Sequence, residues 1–372
     1  MGARFEVRLL QPDGAPIAML TKWAHLQYTR VINGAGWVLI KMTSDFDFTL
    51  PDLDLLIEIW RAPDTDSPLA WECTGFMRKW KVQRLGRTTE AILQGPTQVE
   101  LLDRKIVAYE GGQAKSEKAA AGDDVMKEVV RENLAPDAGN DPYGRDRNFA
   151  DFTVAADTTL GSTFNGSIEW LNVLNVLNDI SDHQHAKDTP IYFNVVRMDN
   201  SAFQFRTYLD QLGLDRTFGP NAITFSEDFG NMENPLWEED WTQERNIIYG
   251  GGQGVDADRT IDPEKDLGRL HRTKWNRREA FQDARGESTT IGVARKAFAR
   301  LVKSRPRRTL SGRLLSVPGS VYGKDWGFGD RVNAEAFGHI FSGMPRVLTV
   351  VVDDVGDEEI DATIEAESSI IP

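Results

Sequence analysis

The class of fold is decided by three strand-like runs, DLLIEIW (residues 54–60), WECTGFMRKWKVQRL (71–85) and TEAILQG (89–95). Their β-branched and aromatic residues favour extended backbone, while the Pro, Asp and Gly residues between them favour turns. Runs of this length at roughly ten-residue spacing are typical of an antiparallel barrel or sandwich.

Four earlier runs extend this pattern to the N-terminus: FEVRLL (5–10), PIAML (16–20), AHLQYTR (24–30) and GWVLIKM (36–42). The first two flank the turn Pro12-Asp13-Gly14, in which proline presets φ and glycine permits the reversal. We therefore predict that residues 1–105 form a first β-barrel domain.

The next block, residues 106–213, is predicted to be an inserted α+β domain. DDVMKEVVRENL (123–134) has the apolar stripe of a helix, with two aspartates at its start, where the helix dipole favours negative charge. SIEWLNVLNVLNDIS (167–181) predicts a second helix, capped by Ser167. The remaining predictions are a long polar loop over residues 135–166 and a hairpin over residues 190–209.

The rest of the chain is predicted to be β-rich again. Residues 214–290 return to the β scaffold, and residues 291–372 form a helix followed by a second β-barrel domain. The helix is predicted in TTIGVARKAFARLVKS (289–304). The fold predicted for the whole chain is mainly β, with an α+β insertion between two β-barrel units.

The composition excludes several classes of protein. With 57 acidic and 43 basic residues the net charge is −14 and the pI is near 4.9, so a surface that grips nucleic acid is not expected. The single cysteine, Cys73, can form neither an intrachain disulfide nor a thiolate metal cage. No window reaches the roughly 18 apolar residues of a membrane span.

The glycine-rich run NIIYGGGQGVDADR (246–259) raises the question of phosphate binding. A P-loop needs a lysine and a helix after its glycines, whereas acidic residues follow here, and no βαβ unit surrounds the run. Glycines at a strand end more often permit a bulge or a close approach of backbones. We therefore predict a structural role for Gly250, Gly251, Gly252 and Gly254, without a bound cofactor.

No metal or catalytic site is predicted. His183 and His185 point to different faces if their segment is helical, and could share a metal with Asp182 only if it is extended. The acidic segments DPYGRDR (141–147) and VDADRT (255–260) lack the ligand spacing of a calcium loop. No G-x-S-x-G elbow, H-E-x-x-H helix or Cys–His constellation is present, so no residue is assigned a catalytic role.

Two further patterns leave alternatives open. Trp237 and Trp241, four residues apart among acids, could form a carbohydrate platform, although aromatic residues beside charges more often mark packing or subunit interfaces. The basic block 295–313 could be a solvated helix packed on a domain, bind nucleic acid, or meet the acidic block 353–367 across a subunit boundary.

Nine segments, considered together and in order, carry a family resemblance: WVLIKM (37–42), PDLDLLIEIWR (51–61), GFMRKWKV (75–82), VELLDRKIV (99–107), DDVMKEVVRENL (123–134), AITFSEDFGNM (222–232), RNIIYGGGQGVDADR (245–259), EAFQDAR (279–285) and VYGKDWGFGDRV (321–332). The chain resembles the tail-hub proteins of long-tailed, siphophage-type bacteriophages, which are related to baseplate hubs and to the hub module of tail-associated lysins. The most specific features are the GGGQG run, the downstream Asp-Ala-Arg, and Gly329-Asp330-Arg331 followed by valine.

The resemblance implies a homotrimer in which two tube-like β-barrel domains per subunit form a ring of six, matching a sixfold tail tube to a threefold tip. It implies a place at the tail tip of the virion, after assembly in the host cytoplasm. The implied neighbours are a distal tail protein or tail tube above and a fibre, spike or tape-measure protein at the tip. DNA is expected to pass only in transit, because a lumen lined by carboxylates does not hold it.

The resemblance also bears on individual residues. In this interpretation Asp256, Asp258 and Arg259 make polar contacts at a crowded junction near the glycine run. Gly329, Asp330 and Arg331 are further structural or interface candidates, and no catalytic residue or cofactor is implied. Because the sequence stops at Pro372, soon after the second β unit, no attached lytic domain is expected.

The main alternative is a cell-wall or glycan-binding or glycan-degrading tail component that uses the aromatic and acidic region near Trp237 and Trp241. A nucleotide-dependent enzyme is a third hypothesis, which the absence of a P-loop lysine disfavours.

Overall fold

The structure is a computed structural model that describes residues 2–43, 52–109, 115–136, 147–168, 170–287 and 289–366. Strands account for 46% of the described residues and helices for 15%, which confirms the predicted mainly β class. The sheets are largely antiparallel, with a few parallel pairs.

The strands up to residue 121 are β1 (Arg4–Leu10), β2 (Pro16–Leu20), β3 (His25–Val31), β4 (Gly34–Thr43), β5 (Leu56–Ala62), β6 (Ala70–Phe76), β7 (Lys79–Leu85), β8 (Thr88–Pro96) and β9 (Ser116–Ala121). The later strands are β10 (Phe152–Val154), β11 (Thr163–Ile168), β12 (Ile191–Arg197), β13 (Phe203–Leu209), β14 (Thr224–Phe225), β15 (Met232–Asp240), β16 (Ile247–Gly251), β17 (Ile261–Lys265), β18 (Glu279–Asp283), β19 (Arg307–Leu314), β20 (Val332–Ala336), β21 (His339–Val352) and β22 (Glu358–Ala366). The helices are α1 (Gly122–Asn133), α2 (Val173–His185), α3 (Leu267–Leu270) and α4 (Thr290–Lys303), with single 3₁₀ turns at Gln98–Leu102 and Asp256–Asp258.

The largest sheet joins the two ends of the chain. Its ten strands run in the order β15-β19-β22-β21-β3-β4-β8-β7, with β20 beside β21 and β14 beside β20. The joint is the antiparallel pair β3–β21, in which Tyr28 lies opposite Val350 and both are fully buried. The two β units predicted at the chain ends therefore share one sheet. No sheet in the described ranges closes into a complete barrel.

A second sheet, in the order β2-β1-β5-β6, packs over one face of the large sheet. The period of two along a strand buries Val7 and Leu9 of β1, and these residues share one apolar cluster with Leu26 and Tyr28 of β3. The main core is thus the interior of a sandwich, and it contains residues from both ends of the sequence.

The two helices predicted for the middle block are present, but the start of the second is shifted. α2 begins at Val173, where the Asn172 side chain accepts the Asn175 amide at 3.2 Å. Ser167, the predicted cap, lies in β11 instead, and its hydroxyl donates to Glu287 Oε2 at 3.0 Å. The predicted cap is wrong because a partner 120 residues away engages the hydroxyl, and no local pattern reveals that partner.

The predicted hairpin is confirmed as β12 and β13. The predicted polar loop 135–166 is interrupted by β10, which pairs with β13, and by the start of β11, which pairs with β9. Most of the acidic motif 141–147 lies outside the described residues. The predicted domain boundaries stay predictions, although Leu56 and Phe76 of the first β unit share an apolar cluster with the middle block.

The helix predicted before the terminal β unit is confirmed as α4. Thr289 caps it by accepting the Gly292 amide at 3.1 Å. α4 packs through Ala297 and Leu301 on a three-stranded sheet of order β17-β16-β18, where Ile248 is fully buried. In the part of the chain that the structure describes, no helix has the length and apolar character needed to cross a membrane.

Candidate functional site

The glycine-rich run lies in the central strand of this three-stranded sheet. A Cβ atom added to Gly250 would lie 3.0 Å from the carbonyl oxygen of Val293, and one on Gly252 would lie 2.7 Å from Val293 Cγ2. Helix α4 therefore rests directly on the glycine backbone. A larger residue at either position would push the helix away.

Arg259 holds the glycine strand together with a second motif singled out in the sequence. Its guanidinium donates to the carbonyl oxygens of Gly251 and Gly252, each at 3.2 Å, and to Asp283 Oδ1 at 3.0 Å. Hydrogen bonds from Arg285, aided by Arg259, hold the pKa of the Asp283 carboxyl below its ordinary value. The guanidinium is thus engaged inside the fold instead of being directed at a phosphate.

The turn after β16 depends on glycine at one position. Gly254 has a φ of +102°, and a Cβ atom there would lie 2.3 Å from the carbonyl oxygen of Asp258. Asp256 and Asp258 are exposed on a single 3₁₀ turn, and neither carboxylate forms an ion pair with any described side chain. The polar contacts predicted near the glycine run are present for Arg259, while the two aspartates face solvent in the single chain.

The Gly329-Asp330-Arg331 motif anchors the segment that follows the middle block. Asp330 is buried and accepts the amides of Leu214 at 2.7 Å and Gly327 at 2.9 Å. Arg216 Nε lies 3.3 Å from the same carboxylate. Gly329 has a φ of +90° and accepts the amide of Gly213 at 2.8 Å. This motif therefore holds two chain segments together by hydrogen bonds, and we call it the clasp.

The two tryptophans do not form a shared platform. Trp237 is half-buried and stacks on His339, with ring centroids 4.3 Å apart and an interplanar angle of 1°. Trp241 lies beneath Arg272, whose guanidinium carbon is 4.4 Å from its ring centroid. Each ring therefore has its own partner within the chain.

The basic and acidic blocks of the last third meet inside one chain. Arg313 on β19 forms a bidentate pair with Glu359 on β22, at 2.9 and 2.8 Å. Arg307 Nη1 lies 3.8 Å from Glu365 Oε2 on the same two strands. These contacts follow from the antiparallel pairing of β19 with β22 and do not require a subunit boundary.

The histidines of α2 also have separate surroundings. His183 contacts Phe164 with ring centroids 5.6 Å apart, and His185 contacts Tyr192 at 5.0 Å. Burial lowers the pKa of His183 to about 4 and that of His185 to about 3. No group of three potential metal ligands occurs among the residues covered by the structure.

Sequence reasoning missed several buried charged clusters, and the one that joins the two ends of the chain we call the buried seam: Arg30, Arg61, Glu72, Tyr322 and Glu358. Arg61 forms two bonds to Glu358, at 2.6 and 2.7 Å, and donates to the Tyr322 carbonyl at 2.8 Å. The Tyr322 hydroxyl donates to Glu72 at 2.7 Å, and Arg30 donates to the same carboxylate oxygen at 2.9 Å. The seam binds the first β unit to the last.

One sequence signal could have pointed to the seam. Glu58 and Arg61 lie in a strand that is otherwise apolar and buried, and charged residues at such positions require partners. Glu58 forms an ion pair with Arg197 of the middle block at 2.5 Å, and Arg61 forms one with Glu358. The identity of the partners, 139 and 297 residues away, is not contained in any local pattern.

Two solved structures correspond to the chain over almost its whole length. The tail protein from Neisseria meningitidis MC58 is 14% identical, with a TM-score of 0.61 and coverage of 99% of this chain and 98% of that chain. The 43 kDa tail protein of prophage MuSo2 from Shewanella oneidensis is 11% identical, with a TM-score of 0.61 and 99% of each chain covered.

A chain of the Francisella PdpA–VgrG complex is also similar, at 11% identity and a TM-score of 0.53. All of the present chain is covered in that comparison, but only 53% of the longer chain. At these identities the correspondence shows a shared fold. No curated protein matches the sequence significantly.

The family assignment depends on a sequence match over residues 6–364, which covers all nine segments that carry the resemblance. The match and the shared fold confirm that resemblance at the level of phage tail proteins. The chain belongs to the Siphovirus ReqiPepy6 Gp37-like protein family and has the fold of a prophage tail protein.

Proposed function

We propose that the protein is a structural hub of the phage tail tip or baseplate. Three copies form a ring that joins the sixfold tail tube to the threefold tip. The observation that carries this proposal is the correspondence with two tail proteins over 98% or more of both chains. It includes the middle block as well as both β units, so it concerns the whole architecture.

The large sheet supports the proposed ring geometry. Because β3 and β21 pair, each chain presents its two β units as one continuous wall. Three copies then supply six β units, which is the number needed to face a sixfold tube. In the proposed ring, the two β units of each copy occupy the positions expected for its two tube-like barrels.

The charge supports passage of DNA through the ring. Each copy carries a net charge of −14, and a carboxylate-rich lumen repels the phosphates of a passing duplex. The proposed neighbours are a distal tail protein or the tail tube on one side, and a fibre, spike or tape-measure protein on the other. The proposed location is the tail tip of the virion.

The contacts of the candidate residues support a structural role over a catalytic one. The glycine run carries α4, Asp330 clasps two segments, and the rings of Trp237 and Trp241 are covered by neighbours. A peptidoglycan turnover assay checks the alternative function. We expect no release of cell-wall fragments above that of a buffer blank, and turnover that is lost in Trp237→Ala would favour the enzyme.

The ring is tested by light scattering of the purified protein over a range of protein and salt concentrations. We expect a mass three times the 41.7 kDa of the chain. A stable dimer at all concentrations contradicts a threefold ring. If the protein stays monomeric, antibody labelling of virions decides whether it is a component of the tail tip. Label at the tail tip supports the hub, and label along the tube or absent from the particle overturns it.

A further inference from the structure

The main path of the large sheet ends in two strands that have a neighbour on one side only, apart from the two-residue strand β14 at the end of its side branch. In the described part of the chain, β7 pairs with β8 alone and β15 pairs with β19 alone. No other strand within the described ranges bonds to the outer backbone groups of either strand, so this edge can accept a further strand. We call β7 and β15 the rim strands.

The rim strand β7 is basic and is exposed on both faces. Trp80 and Val82 are 44% and 39% exposed, and Lys79 and Lys81 alternate with them on the opposite face. Arg84 adds a third positive charge. None of the three cations forms an ion pair with a residue in the described ranges. A basic strand with exposed apolar side chains is unusual in a chain of net charge −14 and is typical of a contact surface.

The rim strand β15 is acidic, so its charge is complementary to that of β7. Leu236 is 59% exposed, and Glu233, Glu238 and Asp240 are exposed acids on the same strand. A register shift between Glu233 and Leu236, with Pro235 inside it, interrupts the first half of the strand. The regular stretch from Leu236 to Asp240 is therefore the part available for pairing.

We propose that β7 of one copy pairs with β15 of the next copy, which extends the ten-stranded sheet across the subunit boundary. This inference rests on the proposed hub function and names the surface through which its ring closes. Lysines of one rim strand then face Glu238 and Asp240 of the other, and opposite charges on facing strands stabilise a pair.

A second copy is the partner that fits both rim strands at once. Each copy has one basic and one acidic rim strand, at opposite ends of one sheet. Pairing of β7 with β7, or of β15 with β15, would place like charges on facing strands and is disfavoured. The contact is head-to-tail, so it repeats from copy to copy until the ring closes.

The single native cysteine allows a direct cross-linking test. Cys73 is only 1% exposed, so introduced cysteines are the reactive thiols of the chain. The single variants Gln83→Cys, on the lysine face of β7, and Leu236→Cys are mixed and treated with a short bismaleimide. We expect covalent dimers from the mixture but not from either variant alone, and covalent trimers from the double variant. Equal amounts of dimer from Gln83→Cys alone, or no product in any sample, overturns the contact.

Charge reversal tests the same contact without cross-linking. Lys79→Glu combined with Lys81→Glu should raise the dissociation constant of the ring by about tenfold or more. The matched control, Lys22→Glu with Lys274→Glu, makes the same change of charge at two exposed lysines outside the rim strands and should leave association unchanged.

Reversal of the acidic side provides a rescue experiment. Glu238→Lys combined with Asp240→Lys should weaken association when introduced alone. It should restore association when combined with the two reversed lysines, because the charges again match. A combined variant no better than either parent contradicts the pairing.

The outcomes separate this contact from the hub function. A threefold particle that is insensitive to the rim variants and gives no cross-link overturns the rim contact and leaves the hub intact. A monomer that gives no cross-link overturns the rim contact, and labelling of virions then decides the hub. If reversal of the lysines lowers retention of a DNA duplex but not self-association, β7 binds DNA and the proposed pairing is wrong.

Discussion

The buried seam and the rim strands both contain charged residues, but the charges of the seam are buried and paired whereas those of the rim strands that we compare with them are exposed. In the seam, the Arg61 side chain is 1% exposed and is held by Glu358 from the other end of the chain. On the rim, Lys79 and Lys81 are exposed and form no ion pair within the described chain. Buried charge here joins distant parts of one copy, whereas the exposed charges of the rim strands are left for a contact with solvent or with a neighbouring copy.

The energetic consequences also differ. A buried charge that loses its partner is left desolvated, which is costly, whereas an exposed charge remains hydrated. Changes in the seam should therefore act on folding, and changes on the rim should act on association. The following predictions test this division.

The largest effect is expected for Glu358→Gln, which leaves the Arg61 guanidinium buried without a carboxylate. The free energy of unfolding should fall by about 3–5 kcal/mol, measured by chemical denaturation. Glu359→Gln, at the neighbouring exposed acid, serves as control and should change stability by less than about 1 kcal/mol. Equal effects of the two variants would remove the distinction between seam and surface.

A smaller effect is expected at Asp330, which joins segments without belonging to the seam. In Asp330→Asn one carboxylate oxygen becomes an amide that faces donors, so the bonds from Leu214, Gly327 and Arg216 cannot all persist. Unfolding free energy should fall by about 1–3 kcal/mol. The exposed Asp354→Asn is the matched control. A stability unchanged from wild type would show that the clasp is not needed.

Acid should weaken the middle block through its two buried histidines. The pKa of His183 is lowered to about 4 and that of His185 to about 3, from an ordinary value of about 6.5. The unfolded chain therefore binds protons first as pH falls. Stability is complete above about pH 6.5 and is lost towards pH 4, by at most about 1.4 kcal/mol per pH unit for each histidine.

This prediction is checked by comparing pH–stability curves of the wild type and His185→Phe. Burial raises the pKa of Asp179 and Asp182, which opposes the histidines at low pH, so the difference between the curves is the quantity to use. The difference should grow in favour of the variant as pH falls from 6.5 to 4. A constant difference would show that His185 does not titrate with unfolding.

The smallest effect on folding is expected on the rim. Glu238→Gln removes an exposed charge that has no ion-pair partner in the described chain, so the stability of one copy should change by less than about 0.5 kcal/mol. Association should still weaken, because the facing lysines lose a partner. Denaturation of dilute protein and light scattering of concentrated protein measure the two quantities separately. A loss of stability in dilute protein would place Glu238 inside the fold of a single copy.

Local patterns in the sequence predicted much of the fold. Helices α1 and α4 and the hairpin β12–β13 are visible because their apolar periodicity lies within about fifteen residues, the scale on which such patterns operate. The start of α2 was misplaced, because the Ser167 hydroxyl contacts Glu287, which is distant in sequence. The pairing of β3 with β21, which merges the two β units, is likewise invisible to local patterns.

For the candidate residues, too, local motifs in the sequence were informative and the order of the strands was not predictable. The glycine run was predicted to be structural because the motif requirements for phosphate binding fail; that role stays a prediction, and the structure places the run against α4. The charge blocks were interpreted without knowledge of strand order, and the order places Arg313 beside Glu359 in one chain. The rim strands became apparent only from the topology, since β7 and β15 are 147 residues apart at their nearest ends and resemble ordinary strands.

The most direct test of the hub account is an electron cryomicroscopy reconstruction of the assembled protein. The account predicts a threefold ring with an open central channel, in which β7 of each copy lies beside β15 of the next. A closed twofold particle, or a threefold particle whose centre is filled, would contradict the central claim that this chain forms a conduit at the tail tip.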